Sequence, residues 1–373
     1  MVLARSLLRP AALATGDTIA IVAPASGLAA LTPHRLAKAT LELERLGFKV
    51  KIYPSVSRTA QENTDAFFKD RPDADAAIYS VPNEYSSADA MVRAEELMAA
   101  FTDPTVKAIV CSIGGFTSHE LLEYLDFAAI AANPKIFCGY SDITTLHLAL
   151  YAKTGLCSFY GPAAISQFGE FPEPMAYTID AFCRAVTTVE PLGEVLPSSE
   201  WTDDKTANWL TKADMTYEDK AKPNQGYQWL RPGSASGPIL GGCLPVLLNV
   251  RGTPFMPSLD GAILLLETPE SHAFDQGMTL NDANMVLGSL RVDGTFDKIK
   301  GLVLGRAFAY TDEQVRELQR LVLYHTRGSS FPILYGIDCG HTNPMATIPL
   351  GCQVELDASR NSMRVLEAGV TAP

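Results

Sequence analysis

Short apolar runs alternate with helical patterns over the first 165 residues, and this alternation constrains the fold more than any other feature. Asp17–Pro24 predicts a buried strand, Thr32–Leu46 predicts a helix that ends before Gly47, and Phe48–Tyr53 predicts a second strand. Strands that alternate with helices form a parallel sheet with helices on both faces. Such sheets bind ligands at the carboxyl edge of their strands, so we expect a functional site there.

A pair of glycines follows the next apolar run. Ala108–Ile113 predicts a strand, Gly114-Gly115 predicts a tight turn, and the residues that follow have helical spacing. Ser118 lies at this turn, where N–H groups of a helix start can hold a developing oxyanion. The alternative is that Ser118 only caps the helix.

A second serine also lies between a strand and a helix. Lys135–Gly139 predicts a strand, Ile143–Lys153 predicts a helix, and Ser141 stands between them. Asp142 is a natural N-cap for that helix, which favours a structural role for Ser141 and its neighbour. Ser118 and Ser141 therefore compete for the role of nucleophile, and the two preceding glycines favour Ser118.

The composition changes after residue 165 and again after residue 236. Residues 166–236 are rich in Pro, Glu, Ser and Asp but also contain three tryptophans, which predicts an ordered connector that covers a site or is anchored to the surface. Residues 237–373 return to apolar strands, at Gly261–Glu267, Ile299–Gly305 and Ile333–Ile337, with helical patterns between them. The predicted domains are thus 1–165, 166–236 and 237–373.

Composition and charge exclude several classes of protein. Hydrophobic residues make up 47% of the chain and charged residues 19%, which is typical of a compact protein. The net charge of -12 argues against nucleic acid or an anionic membrane as the partner. No apolar run is long enough to span a membrane, and the N-terminal stretch lacks the apolar region of a signal peptide. We therefore expect a cytoplasmic protein.

Signatures of cofactor and metal sites are absent from the sequence. It contains no P-loop, no G-x-G-x-x-G after a strand, no H-E-x-x-H and no G-x-S-x-G. Its seven cysteines are scattered without a C-x-x-C pair, which predicts reduced thiols and no structural zinc. We expect neither a metal nor a cofactor.

A serine nucleophile needs a base, and His341 is the strongest of the six histidines. It follows the predicted strand Ile333–Ile337 in a loop with a glycine and a proline, which can present a side chain firmly. His119 is a poor base for Ser118, because adjacent side chains at a helix start diverge. Glu267 ends another predicted strand, where its carboxylate can orient an imidazole.

The order of these segments resembles the serine LD-carboxypeptidase family, and particularly its microcin C self-immunity branch. The similarity runs nearly end to end, although no single motif is decisive. The motifs that carry it are Gly16–Ala20, Ala23-Pro24, Gly114-Gly115 with Ser118, Asn133–Lys135, Gly139–Asp142, Phe159–Pro162, Gly237, Gly241-Gly242, Arg251–Pro254, Glu267 and Gly340-His341.

The resemblance implies a fold and a catalytic triad. The fold class would be α/β, with an N-terminal parallel-sheet domain (Rossmann-like, glutamine-amidotransferase-like) and a C-terminal mixed β/α domain joined by the long connector. Ser118, Glu267 and His341 would form a triad that straddles the two domains, and the family also implies a homodimer. Gly115 and His119 are the expected backbone donors of the oxyanion hole.

Two departures from the family concern the rim of the site. Cys243 stands where the family often has Asn after the paired glycines, and the loop Thr268–Thr279 is longer than expected.

Two substrates fit the resemblance, a peptidyl-nucleotide and a murein tetrapeptide. The immunity branch cleaves the amide that joins a C-terminal aspartyl group to a modified nucleotide, whereas LD-carboxypeptidases release a terminal D-residue. Aromatic rings in the connector can stack on a purine, which favours the first substrate. A binder that sequesters such conjugates without cleaving them is the third hypothesis. The expected substrate-binding residues are Ser141, Asp142, Trp201, Trp209, Trp229 and Arg231.

Overall fold

Two β-sheets covered by helices build the protein, whose computed structural model describes residues 7–73, 86–204, 206–271 and 276–373. The strands are β1 (Thr18–Val22), β2 (Lys49–Ile52), β3 (Val106–Cys111), β4 (Ile136–Gly139), β5 (Ser158–Tyr160), β6 (Gly193–Glu194), β7 (Glu200–Trp201), β8 (Lys222–Pro223), β9 (Gln228–Arg231), β10 (Ser234–Cys243), β11 (Ile263–Glu267), β12 (Gly301–Gly305), β13 (Ile333–Ile337), β14 (Ile348–Leu350), β15 (Gln353–Asp357) and β16 (Ser362–Val365).

Helices connect most of these strands. The α-helices are α1 (Leu28–Leu31), α2 (Pro33–Arg45), α3 (Pro54–Ser57), α4 (Ala60–Asp70), α5 (Ala90–Thr102), α6 (Phe127–Ala132), α7 (Thr144–Thr154), α8 (Ala176–Thr187), α9 (Leu247–Val250), α10 (Leu280–Val292), α11 (Thr295–Lys298) and α12 (Asp312–His325). Helix α2 shows why the pattern predicts these elements: it starts at a proline, which is tolerated at a first helical position, and it buries Leu36, Ala39 and Leu43 at helical spacing.

The first sheet contains six strands in the order β14-β5-β4-β3-β1-β2. Strands β1 to β5 are parallel, whereas β14 pairs with β5 in the antiparallel direction. Both faces of this sheet are apolar and covered, because strands β1, β3 and β4 are almost entirely buried. This parallel N-terminal sheet confirms the predicted α/β class.

The second sheet contains eight strands in the order β6-β16-β15-β10-β11-β12-β13-β9. Its centre, β10 to β13, is parallel, and antiparallel strands flank it on both sides. The C-terminal part is therefore a mixed β/α unit, as predicted.

The strands of each sheet do not all come from one of the predicted segments. Strands β6 and β9 belong to the segment 166–236 but form the edges of the second sheet. Strand β14 lies in the segment 237–373 but joins the first sheet. The chain therefore crosses from the second sheet to the first between β13 and β14.

The sheets approach each other closely at Gly242. A β-carbon on this residue would lie 2.5 Å from Thr144 Oγ1 and 2.7 Å from the ring of Tyr160. The neighbouring Cys243 N–H donates to Thr144 Oγ1 across 2.9 Å. Only glycine fits this contact, which brings side chains from both sheets within hydrogen-bond distance.

The length and polarity of the helices bear on any membrane role. Within the described ranges, no helix is both long and apolar enough to cross a membrane.

Candidate active site

Three loops meet at the seam between the two sheets. Ser141 follows β4 of the first sheet, Glu267 is the last residue of β11 in the second sheet, and His341 lies between β13 and β14. The loop of His341 must cross the seam, because β13 and β14 belong to different sheets. All three side chains are thereby brought to the carboxyl edges of parallel strands, where ligand sites form in such folds.

His341 contacts a carboxylate and a hydroxyl at once. Its Nδ1 lies 2.7 Å from Glu267 Oε2, and its Nε2 lies 3.0 Å from Ser141 Oγ. The side chains of His341 and Glu267 are both buried, whereas Ser141 is half-buried and open to a substrate. A hydroxyl, an imidazole and a carboxylate in this order are the arrangement that activates a serine nucleophile.

A second carboxylate faces the imidazole. Glu270 Oε2 lies 3.3 Å from His341 Nε2, on the same side of the ring as Ser141 Oγ. Burial by itself would lower the pKa of His341, but the charges of Glu267 and Glu270 outweigh it and raise the pKa to about 9. The imidazole is therefore protonated at neutral pH in the unliganded protein.

The backbone of Ser141 has an unusual conformation. Its φ angle is +63°, which a non-glycine residue adopts only at a cost. Its N–H donates to the hydroxyl of Tyr160 across 3.1 Å. A β-carbon on Gly114 would lie 2.7 Å from Ser141 Cβ, so this glycine makes room for the serine. A serine held on a strained strand-to-helix turn is typical of hydrolase nucleophiles.

No hydrogen bond joins Ser118 to His341 among the described residues, and its expected role as nucleophile stays a prediction. Its side chain is fully buried, and its hydroxyl donates to the carbonyl of Asp142 across 2.7 Å. Its N–H donates to Asp142 Oδ2 across 2.8 Å. Ser118 therefore braces the turn that carries Ser141.

The same bonds give Asp142 a structural role. Its carboxylate is buried and accepts the N–H of Ser118, so it supports the turn, and its expected role in substrate binding stays a prediction. Burial raises the pKa of Asp142, and the hydrogen bonds from Ser118 oppose that shift. Buried Arg93 holds the turn from the other side by donating to the carbonyl and the hydroxyl of Thr117.

The two expected oxyanion donors lie in different environments. Gly115 directly follows Gly114, which packs against Ser141, and its N–H has no acceptor among the described residues. His119 is exposed in the 3₁₀ turn Ser118–Glu123, and no contact in the described part of the chain joins it to Ser141. The N–H of Asp142 lies beside Gly114 instead.

Two of the connector tryptophans lie close to the loop of His341. Trp201 is stacked between Arg306 and Lys222, each 4.6 Å from the ring centre, and the next residue, Thr202, exchanges two backbone hydrogen bonds with Asn343. Trp209 covers the buried guanidinium of Arg35 at 3.8 Å. The connector is thus ordered against both domains.

Trp229 and Arg231 lie at a sheet edge away from the loop of His341, and their expected role in substrate binding stays a prediction. Both lie on β9, and Arg231 pairs with Ile333 at the start of β13, the opposite end from the loop of His341. The Trp229 N–H donates to Asn361, and Arg231 donates to Thr326 and to the carbonyl of Phe331. These residues fix the edge of the second sheet.

Sequence reasoning assigned no role to Tyr160 and Glu270. Tyr160 lies in a recognised motif at the end of β5, but its hydroxyl contacts residues that are distant in the chain. Glu270 lies three residues after Glu267, in the loop Thr268–Thr279. The unusual length of this loop was the sequence feature that could have drawn attention to Glu270.

The acidic, thiol and imidazole side chains do not form a metal site. In the described parts of the chain, no group of three or more His, Cys, Asp or Glu side chains could hold a metal ion.

Comparison with protein families matches both halves of the chain. Residues 19–161 match the model of the LD-carboxypeptidase N-terminal domain, and residues 236–356 match the model of the LD-carboxypeptidase C-terminal domain. Gly114, Ser141, Glu267 and His341 are spread over these two regions, with the first pair in one and the second pair in the other.

Individual relatives match over nearly their whole length. The Microcin C7 self-immunity protein MccF of Escherichia coli is 30% identical, covering 96% of this chain and 95% of that protein. A Bacillus subtilis protein named "Probable murein peptide carboxypeptidase" is 27% identical over 97% of this chain and 95% of its own. A solved structure of MccF in complex with aspartyl sulfamoyl adenosine has a TM-score of 0.83 and 28% identity, covering 98% of this chain and 100% of that one.

Proposed function

This chain belongs to the LD-carboxypeptidase family of hydrolases, and we propose that it is a serine peptidase in which Ser118, Glu267 and His341 form the triad. The observation that carries the proposal is that His341 Nδ1 lies 2.7 Å from Glu267 Oε2, at the seam where Ser118 is bonded to the turn of Ser141. The family resemblance assigns the nucleophile to Ser118, and the contact of a nucleophile with its base often tightens only when the substrate binds. Ser141, whose hydroxyl lies 3.0 Å from His341 Nε2, is the alternative nucleophile.

The chemistry follows from these contacts. Ser118 Oγ attacks the amide carbonyl while its proton passes to His341 Nε2. His341 then delivers that proton to the leaving nitrogen, the C–N bond breaks, and an acyl-serine ester remains. A water molecule attacks the ester as His341 accepts its proton, the bond between the acyl carbon and Oγ breaks, His341 returns the proton to Oγ, and the acid is released. Glu267 orients the imidazole and stabilises its cation throughout.

The negative oxygen of the tetrahedral intermediate needs donors beside the nucleophile. We assign this role to the N–H groups of Gly115 and His119. The first lacks an acceptor among the described residues, and the second belongs to the first turn of the 3₁₀ helix Ser118–Glu123, where N–H groups have no intrahelical partner.

The proposed substrate is a conjugate in which an amide joins a C-terminal aspartyl group to a nucleotide-like moiety. The similarity to MccF, whose structure holds aspartyl sulfamoyl adenosine, supports this substrate. The connector also supports it, since Thr202 exchanges two backbone hydrogen bonds with Asn343 in the loop of His341, and the aromatic residues Trp201 and Trp209 stand on the same connector.

Murein tetrapeptide is the second candidate substrate, and Glu270 favours it. This carboxylate stands beside His341, where it would repel an anionic aspartyl group and attract an ammonium group. The match to a relative named as a murein peptide carboxypeptidase points the same way.

A substrate panel with one variant tests the proposal. We expect the protein to hydrolyse aspartyl sulfamoyl adenosine, and Ser118→Ala to bind it by calorimetry without turnover. Release of D-alanine from murein tetrapeptide, with no turnover of the conjugate, would favour the murein activity instead. Tight binding without hydrolysis of either compound by the unaltered protein would favour the sequestering binder.

The assembly and location of the protein are further parts of the proposal. The family resemblance supports a homodimer, which light scattering can test. Seven free cysteines, six of them buried, support a reducing cytoplasmic compartment, and cell fractionation can test this location.

A further inference from the structure

Glu270 stands beside the base, where a bound substrate can touch it. Its Oε2 lies 3.3 Å from His341 Nε2, the nitrogen that exchanges the proton with the nucleophile and the leaving group in the proposed reaction. The Glu270 side chain is 32% exposed, whereas the side chains of His341 and Glu267 are buried. Glu270 is therefore the carboxylate beside His341 that remains open to a ligand.

The backbone around Glu270 is paired. Glu270 forms an antiparallel bridge with Gly277, and the N–H of Ser271 donates to the carbonyl of Gln276 across 2.8 Å. The carboxylate is thus presented by hydrogen-bonded backbone just after β11, and not by an unsupported loop.

The charges around the base do not balance without a substrate. Glu267 and Glu270 face one imidazole, and in the described parts of the chain no Lys or Arg side chain lies within salt-bridge distance of either carboxylate. His341 must be neutral to accept a proton, and both carboxylates then lack a positive partner. A cationic group of the substrate would take the place of the imidazolium beside Glu270.

We propose that Glu270 selects aminoacyl conjugates, in which the residue on the acyl side of the scissile amide keeps a free α-ammonium, an inference that rests on the proposed function. Peptidyl conjugates, in which this nitrogen is acylated, are the substrates it disfavours. Only the α-carbon separates the ammonium from the carbonyl carbon that Ser118 attacks, so a carboxylate beside His341 Nε2 is close enough to accept its hydrogen bond.

The ammonium also answers the repulsion between Glu270 and an aspartyl group. An aspartyl conjugate carries an ammonium as well as a side-chain carboxylate, and the geometry assigns the ammonium to Glu270. A conjugate without the ammonium keeps the negative charge alone and is repelled. Glu270 is thus a specificity-determining residue that binds the substrate and takes no part in bond making.

Two substrates that differ by one group isolate the ammonium. Aspartyl sulfamoyl adenosine carries it, and succinyl sulfamoyl adenosine has hydrogen in its place with no added bulk. The ratio of their kcat/KM values is measured at neutral pH in the unaltered protein and in Glu270→Gln. An effect of the substitution on the pKa of His341 acts on both substrates and cancels in this ratio, and the succinyl compound reports that effect alone.

Glu120→Gln is the matched control. Glu120 lies in the 3₁₀ helix that begins at Ser118, and its side chain is 36% exposed, close to the value for Glu270. Its charge is already balanced by an ion pair with Arg93. Glu120→Gln should therefore keep the substrate ratio of the unaltered protein.

We expect the ratio to favour the aspartyl conjugate and to fall about tenfold or more in Glu270→Gln, the effect of one hydrogen bond between charged groups. N-acetylaspartyl sulfamoyl adenosine, whose nitrogen is acylated, should be no better a substrate for the unaltered protein than the succinyl compound.

The failures of the inference and of the proposed function are distinguishable. If Glu270→Gln keeps the ratio of the unaltered protein, or if the unaltered protein hydrolyses the N-acetylaspartyl conjugate as well as the aspartyl one, selection by Glu270 is overturned and the hydrolase activity stands. If the unaltered protein hydrolyses none of the three conjugates, the proposed function fails and the inference falls with it.

Discussion

His341 Nε2 lies 3.0 Å from Ser141 Oγ, although 200 positions separate the two residues in the chain. The contact exists because the segment from β13 to β14 carries the histidine from the second sheet to the first. The two sheets thus contribute different parts of one reaction centre, and catalysis requires that they stay docked.

The two serines should differ in their effect on turnover. Ser118→Ala removes the proposed nucleophile, and we expect turnover to fall by about three orders of magnitude or more. Ser141→Ala removes the contact with His341 Nε2 but keeps the nucleophile, so turnover should stay measurable. Steady-state kinetics measure both effects, and circular dichroism checks that each variant is folded. Full activity in Ser118→Ala would refute the assignment.

The amide variant of Glu267 should lose activity without losing the fold. Glu267→Gln keeps the side-chain volume but removes the charge that stabilises the imidazolium, and we expect kcat to fall by up to about 10⁴-fold. The hydrogen bond from Tyr160 keeps an acceptor in this variant. A circular dichroism spectrum like that of the unaltered protein, together with unchanged kcat, would contradict a catalytic role for the carboxylate.

The rate should rise with pH between about 7 and 9. His341 accepts a proton only when it is neutral, and its pKa of about 9 leaves most of it protonated at neutral pH. Glu270→Gln removes one of the charges that raise this pKa, so the acidic limb of kcat/KM should move to lower pH and the rate at pH 7 should increase. A limb that stays in place in Glu270→Gln would show that Glu270 does not act on His341 in solution.

Trp209 and Trp229 provide a matched pair for nucleotide recognition. Trp209 lies in the connector against Arg35, whereas Trp229 is bonded to Asn361 at the edge of the second sheet. If Trp209 stacks on the purine, Trp209→Ala should raise KM for the adenosine conjugate about tenfold, the value of one base–aromatic contact. Trp229→Ala should leave KM unchanged. Equal KM values in both variants would remove Trp209 from the nucleotide site.

Elements with a clear hydrophobic period are predictable from local sequence. The predicted helix Thr32–Leu46 is found as Pro33–Arg45, and the strand predicted at Ile333–Ile337 has those bounds. The contact between Glu267 and His341 was also predictable. Glu267 ends one apolar strand and His341 follows another, and strand ends meet at one edge of a parallel sheet.

The choice between the serines illustrates where such reasoning stops. Ser118 and Ser141 both stand between a strand and a helix, and Gly114-Gly115 precedes Ser118 directly. In the folded chain Gly114 makes room for Ser141, and Ser118 is hydrogen-bonded to Asp142 in the same turn. The sequence of a turn does not reveal which residue from a neighbouring strand will pack against it.

The sequence by itself determined the alternation of strands and helices, the two-part α/β architecture and the residue types of the reaction, because these depend on periodicity and on the order of motifs along the chain. Only the tertiary structure decided which serine meets His341, that Tyr160 joins Ser141 to Glu267, and that Trp229 and Arg231 stay at a sheet edge. Hydrogen bonds need contacts of about 3 Å, and contacts between distant segments are set by how the sheets pack.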